Sequence, residues 1–202
     1  MMNRARFGLI PCLFFCTSLS YGQKIVIKTP IAINKALFER HLSPINLIKK
    51  SKEIHKNGGI IRIKTVGKTI ALKNDGEFLE YTYVGNLAGG KVAVINILEP
   101  NDEYYYLINK TTGVIDTLLS KPIFFSDKKS FVCLEGIGTD SKQRIQIGCL
   151  DSDRVSITGY IKLSKQPYVS PSYIYWYNKH TLFIATNSLS FKDTRFYKVL
   201  LR

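Results

Sequence analysis

The stretch Phe124-Phe-Ser-Asp-Lys-Lys-Ser-Phe-Val132 decides the fold, because a second stretch of the chain aligns with it without gaps. That second stretch, Tyr175-Trp-Tyr-Asn-Lys-His-Thr-Leu-Phe183, begins 51 residues later. Each contains two aromatic residues, then a polar turn with lysine, then an apolar strand. The sequence also predicts a hairpin before each copy, within 105–118 and within 145–158. A repeated unit of about four short strands is typical of an antiparallel β fold.

Apolar and polar residues alternate along most of the chain from residue 60 onward, with the period of two that strands show. Turn residues separate these runs, as in Asn74-Asp-Gly76, Gly89-Gly90 and Glu99-Pro-Asn-Asp102. Together the two signals predict an all-β antiparallel domain over 69–202. The predicted strands cover 60–66, 69–73, 78–84, 91–98, 103–109, 114–118, 122–125, 130–135, 143–150, 154–163, 173–176, 181–186 and 195–201.

The first copy of the repeat also resembles a known family. Pro122-Ile-Phe-Phe-Ser-Asp-Lys-Lys-Ser-Phe131 resembles the Phe-Ser-Pro-Asp-Gly-Lys signature of TolB-type β-propeller repeats, without its Pro and Gly. The preceding Tyr106-Leu-Ile-Asn-Lys-Thr-Thr-Gly113 is similar to the strand-turn-strand that comes before that signature. The resemblance covers 104–135 and, more loosely, 145–186. It implies propeller-like blades, and a unit of about 40 to 50 residues has the size of one blade.

The length of the chain limits how many blades it can form. Residues 69–202 hold about three blades, whereas closed propellers typically have four or more. We therefore expect open or incomplete propeller-like blades, with a β-sandwich as the alternative. Residues 23–68 would supply either a degenerate blade or a helical cover over one sheet edge.

The N-terminal segment 23–68 is predicted to be partly helical. Residues 24–28 favour a short strand, and 34–41 contain helix formers. Ser43-Pro44 is typical of a helix N-cap followed by proline, and the apolar residues between 45 and 54 would form one stripe. Asn57-Gly-Gly59 would end that helix. We therefore predict two short helices in this segment.

The first 22 residues have the pattern of a secretory signal peptide. Two arginines precede a short apolar run, and Ser20-Tyr-Gly22 offers a small-x-small cleavage site before Gln23. The run is shorter than a membrane span needs, and neither of its cysteines follows the small residue that a lipoprotein anchor requires. We therefore predict a soluble exported protein, periplasmic or extracellular. A Lys-, Asn-, Ile- and Tyr-rich chain that begins with Gln23 resembles exported proteins of the Bacteroidetes.

The sequence carries no recognisable catalytic or metal-binding motif. Its 3 histidines lack zinc-ligand spacing, and it has no Gly-x-Ser-x-Gly nucleophile motif. Gly136-Ile-Gly138 precedes no predicted helix, so it lacks the context of a Rossmann or P-loop phosphate site. Asp151 and Asp153 lack the further ligands of a calcium loop. We predict no catalytic residues, no metal and no cofactor.

Two clusters of aromatic residues are candidate binding surfaces for a protein or a sugar, because such rings combine an apolar body with a polar tip. Ordinary packing between sheets is the alternative. The candidate residues are Tyr104, Tyr106, Tyr173, Tyr175, Trp176 and Tyr177.

The N-terminal segment is strongly basic, since residues 23–68 have 11 basic residues and 2 acidic ones. Charge of this kind attracts anionic lipid or envelope glycan, whereas export argues against nucleic acid as a partner. A solvated surface is the alternative. The basic patch consists of Lys49, Lys50, Lys52, Lys56, Arg62 and Lys64, with Lys68 close by.

Two cysteines, Cys133 and Cys149, lie at equal distances from Ser141, in a predicted turn over 139–142. A hairpin centred there would place them directly opposite each other, and in an oxidising compartment such a pair can form a disulfide. Two buried free thiols are the alternative.

These observations predict an exported, non-catalytic binding or scaffold module of the bacterial envelope, with protein or anionic envelope material as its partner. A hydrolase of envelope glycan or peptide is one alternative. It would need two facing carboxylates, or one carboxylate together with His180. An inhibitor or immunity protein of a secreted enzyme is the other alternative.

Overall fold

The structure is a computed structural model that describes residues 30–135, 144–162, 169–188 and 194–201. The predicted signal peptide, the strand predicted over 24–28 and the turn predicted over 139–142 lie outside these residues. The described residues form four antiparallel sheets, which we number I to IV along the chain. The prediction of an all-β antiparallel fold is therefore confirmed.

The four sheets are built almost entirely from consecutive strands. Sheet I contains β2 (Lys56–Asn57), β3 (Ile60–Lys64) and β4 (Thr69–Lys73). Sheet II contains β5 (Glu80–Leu87), β6 (Val92–Glu99), β7 (Asp102–Asn109) and β8 (Ile115–Leu118). Sheet III contains β9 (Ile123–Phe124), β10 (Ser130–Leu134), β11 (Arg144–Asp151) and β12 (Arg154–Lys162). Sheet IV contains β13 (Val169–Asn178), β14 (Thr181–Ser188), β15 (Thr194–Leu200) and β1 (Ile31–Ile33), which pairs with β15.

Each strand predicted from residue 60 onward overlaps a strand of the structure, and β4 has the predicted bounds. The sequence did not predict β1 or β2 as strands. Both are short, and β1 lies at a sheet edge next to the C-terminal strand. A three-residue strand is too short to show alternation, so its pairing depends on the partner strand rather than on its own pattern.

The sheets stack face to face, with one apolar core in each of the three spaces between neighbours. Sheets I and II bury Ile61, Ile63, Ile95 and Ile97 between them. The core between sheets II and III contains Leu107, Leu118, Phe124, Phe131 and Cys133, and the core between sheets III and IV contains Val132, Ile145, Trp176, Leu182 and Val199. Because sheet II is covered on both faces, Val92 to Ile95 are all buried, whereas sheet I keeps a strict alternation.

An extended segment, residues 42–57, runs across the first strands of all four sheets, and we call it the connecting segment. The Leu42 amide donates to the Trp176 carbonyl of β13 at 2.8 Å. Ile45 then forms a bridge with Phe124 of β9, and Lys49 forms one with Asn86 of β5. The segment ends as β2 in sheet I.

The prediction of a helix between Pro44 and Asn57 is therefore wrong. Sheets pack about 10 Å apart, so crossing four of them requires about 30 Å. A helix of 14 residues would span only about 20 Å. The apolar residues that suggested a helical stripe instead enter two different cores, with Leu47 and Ile48 between sheets II and III and Ile54 between sheets I and II.

The first predicted helix, over 34–41, is confirmed in a shorter form. Helix α1 covers Lys35–Phe38, and the side chain of its N-cap Asn34 accepts a hydrogen bond from the Leu37 amide at 2.8 Å. The helix lies on the outer face of sheet IV, where Phe38 packs with Phe183 and Ala185. In the described part of the chain, no helix has the length and apolarity to cross a membrane.

The two copies of the sequence repeat occupy equivalent places, as the first hairpins of sheets III and IV. In each turn an aligned side chain holds the backbone: Asp127 accepts from the Lys129 and Ser130 amides, and Asn178 accepts from the His180 amide. The pairing register differs by one residue, because β13 has an irregularity between Trp176 and Asn178. The repeat thus predicts corresponding hairpins but not their identical register.

Candidate functional site

Four aromatic side chains on the outer side of sheet IV form a partly exposed ring cluster, and we call it the aromatic face. It consists of His41, Tyr173, Tyr175 and Tyr177. The three tyrosines alternate along β13, so they share the face that points away from sheet III. Tyr173 is 58% exposed and Tyr177 is 39% exposed. The backbone therefore presents their rings and hydroxyl groups to solvent.

Stacking between rings holds the side chains of the aromatic face in place. His41 stacks on Tyr175 with 3.8 Å between ring centroids and 18° between the planes. The planes of Tyr173 and Tyr175 are nearly parallel, at 6° with centroids 6.4 Å apart. Tyr177 stacks on Phe183 at 4.6 Å. Rings fixed in this way lose little conformational freedom when a partner covers them, which favours binding.

Trp176 lies on the opposite face of β13 and is not part of the aromatic face. Its ring is 3% exposed and packs in the core between sheets III and IV, 5.3 Å from the Phe125 ring. Its indole Nε1 donates to the Ile123 carbonyl at 3.0 Å. The structure therefore gives this predicted binding residue a role in joining two sheets.

The other two predicted aromatic residues, Tyr104 and Tyr106, face sheet I and pack against the core between sheets I and II. The Tyr104 hydroxyl donates to the Glu99 carboxylate at 2.6 Å. Burial, together with this hydrogen bond, raises the pKa of the Tyr104 phenol above its ordinary value. Packing between sheets accounts for both side chains.

The structure separates the residues of the predicted basic patch. Lys49, Lys50 and Lys52 lie on the connecting segment, and Lys56 forms an ion pair with Glu80 at 2.9 Å. Arg62 and Lys64 lie elsewhere, on the outer face of sheet I. The patch is continuous in sequence, but the extended path of the connecting segment spreads it from sheet II to sheet I.

Three basic residues do lie together on the outer face of sheet I. Arg62 and Lys64 of β3 lie opposite Ala71 and Thr69 of β4, and Lys73 lies opposite Ile60. All three basic residues are exposed, and none of them forms an ion pair with a residue that the structure describes. Lys73 was not predicted as part of the basic patch, although the alternation of β4 places it on the same face as Arg62 and Lys64.

The prediction that Cys133 and Cys149 lie opposite each other is wrong. In the β10–β11 pair, Cys133 lies opposite Gln146 and Cys149 lies opposite Ser130. The two cysteines therefore point to opposite faces of sheet III, and both are free thiols. The register follows from packing, because the Phe131 ring occupies the space above Gly148, where an added Cβ would lie 2.2 Å from it. Burial raises the pKa of both thiols.

Three glutamates, whose carboxylates a hydrolase could use, have structural partners in this fold. Glu80 pairs with Lys56, Glu99 accepts from Tyr104, and Glu103 accepts from the side chains of Asn96 and Tyr105. Burial, followed by the Glu103 charge, raises the pKa of Tyr105 to about 12. Among the described residues, no three His, Cys, Asp or Glu side chains come together as a metal site.

Two grooves lie on the described surface. One, of about 330 Å³, lies between the connecting segment and the β8–β9 loop and is lined by Pro44, Ile45, Asn46, Lys121, Pro122 and Ile123. The other, of about 590 Å³, is shallow and is lined by Asn178, Lys179, His180, Thr181, Leu200 and Leu201. Neither lining includes a carboxylate among the described residues, so His180 has no acidic partner in the described part of its groove.

Comparison of the chain with family models, with curated proteins and with solved structures found no match. The resemblance to TolB-type repeats therefore stays a prediction from the residues quoted above.

Proposed function

We propose that this protein is an exported, non-catalytic binding or scaffold module of the bacterial envelope, and that it binds its partner through the aromatic face. The observation that carries the proposal is the exposure of Tyr173 and Tyr177 on a sheet whose other face is fully packed. Exposed tyrosines on a rigid strand supply contact area and hydrogen-bonding hydroxyls together, as binding surfaces require. A protein partner fits this chemistry best.

We further propose that the four sheets are propeller-like blades in an open arrangement. Three of them have four antiparallel strands, and the first hairpins of sheets III and IV come from the sequence repeat. The N-terminal strand β1 completes the sheet made by the C-terminal strands, which ties the two ends of the described chain together. Blades of this kind carry many different functions, so the fold supports a binding role without specifying the partner.

Export is the part of the proposal that rests on sequence alone. Arginines, an apolar run and a small-x-small site precede Gln23, and this pattern favours secretion. In the envelope, an exported binding module meets proteins and anionic material. Salt separates these two kinds of partner, because charge-based attraction between exposed groups weakens as ionic strength rises.

The proposal is tested by a pull-down from envelope extract with residues 23–202 as bait, at low and at high salt. We expect a protein partner that survives high salt and that is lost from the Tyr173→Ala/Tyr177→Ala double variant. Phe78→Ala is the matched control, because Phe78 is an exposed aromatic residue in the β4–β5 turn, away from sheet IV. A partner that both variants retain, or the absence of any partner, would contradict a binding role for the aromatic face.

A further inference from the structure

A second candidate surface lies at the end of sheets I and II where two turns meet. The β3–β4 turn, 65–68, contacts the β7–β8 turn, 110–114, and we call this pair the turn cluster. The Val66 amide donates to the Lys110 carbonyl at 3.0 Å. The Lys68 side chain lies over Gly113, where an added Cβ would be 3.2 Å from its Cε atom. The two turns therefore form one surface.

The turn cluster exposes apolar side chains that the fold does not bury. Val66 is 82% exposed and Val114 is 54% exposed, and Ile115 beside it is also exposed. The backbone of the longer turn is well satisfied, since the Asn109 side chain accepts from the Thr111 and Thr112 amides. Valines at the tips of ordered turns are thus presented to the outside by the backbone, and neighbouring exposed apolar residues mark interaction sites.

The same surface carries positive charge. Lys64 and Lys68 flank Val66 in sequence. Lys91 lies beside the β7–β8 turn, because its backbone carbonyl accepts a hydrogen bond from the Lys110 amide at 2.8 Å. All three side chains are exposed and have no ion pair among the residues described. Lys110 itself pairs with Glu53 at 3.1 Å, which neutralises an acid near this surface.

We propose that the turn cluster docks the protein on an anionic phospholipid bilayer. Exposed apolar side chains enter the boundary between headgroups and acyl chains, while lysines around them attract anionic headgroups. A soluble polyanion would explain the lysines but would leave Val66 and Val114 without a role. The aromatic face lies on sheet IV, at the far end of the stack, so it stays free to bind a partner while the turn cluster contacts lipid.

The test measures co-sedimentation of the protein, as cells process it, with vesicles of neutral phosphatidylcholine and with vesicles that also contain phosphatidylglycerol. We expect binding only to the anionic vesicles. Lys64→Gln and Lys68→Gln should each weaken binding roughly fivefold, the contribution of one lysine near an anionic surface. Val66→Ser and Val114→Ser together should also weaken it, while binding to soluble dextran sulfate stays unchanged.

Matched controls lie elsewhere on the surface. Leu98→Ser removes an exposed apolar side chain at the other end of sheet II, and Lys121→Gln removes an exposed lysine from the β8–β9 loop. Neither should change vesicle binding. Vesicle binding that the valine substitutions leave intact would reduce the surface to a polyanion site, and no vesicle binding at all would overturn the proposal. The Tyr173→Ala/Tyr177→Ala variant should bind vesicles normally, so failure of this site and failure of the aromatic face are separate results.

Discussion

The two end sheets of the stack finish their outer faces in opposite ways. Sheet IV turns Phe183, Ala185 and Phe196 outward, and the short helix α1 covers them with Phe38. Sheet I turns Arg62, Lys64 and Lys73 outward and has no comparable cover among the described residues. An apolar outer face needs a covering element, whereas a charged one faces water directly.

This difference explains why a four-residue helix is present at all. Such a short helix has little stability of its own in water. It is held by the Asn34 cap and by the contact of Phe38 with the rings of Tyr175, Phe183 and Phe196. Helix α1 is therefore required for stability at the sheet IV end, whereas the charged outer face of sheet I is stable without such a cover.

The largest effect is expected from Phe38→Ala, which removes the main cover of sheet IV. Phe38 is buried, and truncating a buried phenylalanine leaves a cavity as well as lost contacts. We expect the free energy of unfolding to fall by about 3 kcal/mol, as measured by chemical denaturation. The control Phe78→Ala, at an exposed position, should change it by less than about 0.5 kcal/mol. Equal losses in the two variants would refute the covering role of α1.

A smaller loss is expected from Gly85→Ala, which acts on the connecting segment that joins both end sheets. Gly85 has a φ of +151°, and an added Cβ would lie 2.5 Å from the Lys49 carbonyl oxygen. The connecting segment would have to move away from β5, so we expect the free energy of unfolding to fall by about 2 kcal/mol, as measured by chemical denaturation.

The matched control for that variant is Gly159→Ala, since an added Cβ at Gly159 meets no atom within 4 Å. Amide hydrogen exchange shows where the structure is disturbed. The Lys49 and Asn86 amides form the hydrogen bonds between the connecting segment and β5, so both should exchange faster in Gly85→Ala. Unchanged exchange at both amides would show that the segment does not lie against β5 as described.

The smallest effect on stability is expected on the outer face of sheet I. The triple variant Arg62→Gln/Lys64→Gln/Lys73→Gln removes three exposed charges that have no ion-pair partner among the described residues. We expect its free energy of unfolding to stay within about 0.5 kcal/mol of the parent value, as measured by chemical denaturation. A substantial loss would mean that another part of the chain covers this face.

The sequence predicts the strands well because each strand buries either one face or both faces. Burial of one face gives a regular alternation of apolar and polar residues, and burial of both faces gives a continuous apolar run. In β3, Ile61 and Ile63 point inward while Arg62 and Lys64 point outward, which gives a clear period of two. The turns are equally readable, because residues such as Asn109 and Asp127 hold the backbone with their own side chains. These signals are local, so a single sequence suffices to show them.

The connecting segment could not be predicted in the same way. Before it reaches β2, it bridges to strands that lie 37 or more residues away in sequence, from Lys49 to Asn86 and from Ile45 to Phe124. Its apolar residues serve two cores, and together their spacing imitates a helical stripe. The prediction that Cys133 lies opposite Cys149 was wrong for a related reason. The contact between Phe131 and Gly148 fixes the register of the two strands, and symmetry about a turn does not.

The candidate site was predicted only in part. The alternation of β13 places Tyr173, Tyr175 and Tyr177 on one face, as a strand requires, but it does not say which face of the sheet is buried. His41 was missed because its stacking on Tyr175 joins positions 134 residues apart. Val66 and Val114 carried a weak signal, since each lies next to a turn glycine, where an apolar side chain has no strand to bury it.

The central claim is that the stack is open, so that no other described part of the chain covers the outer face of sheet I, whereas α1 covers the outer face of sheet IV. Labelling of lysine amines with an acylating reagent, followed by mass spectrometry, tests it most directly. Lys64 and Lys73 should react fast, whereas Lys110, whose side chain is 19% exposed and paired with Glu53, should react slowly. If Lys64 and Lys73 react as slowly as Lys110, another surface covers sheet I and the account of an open stack is contradicted.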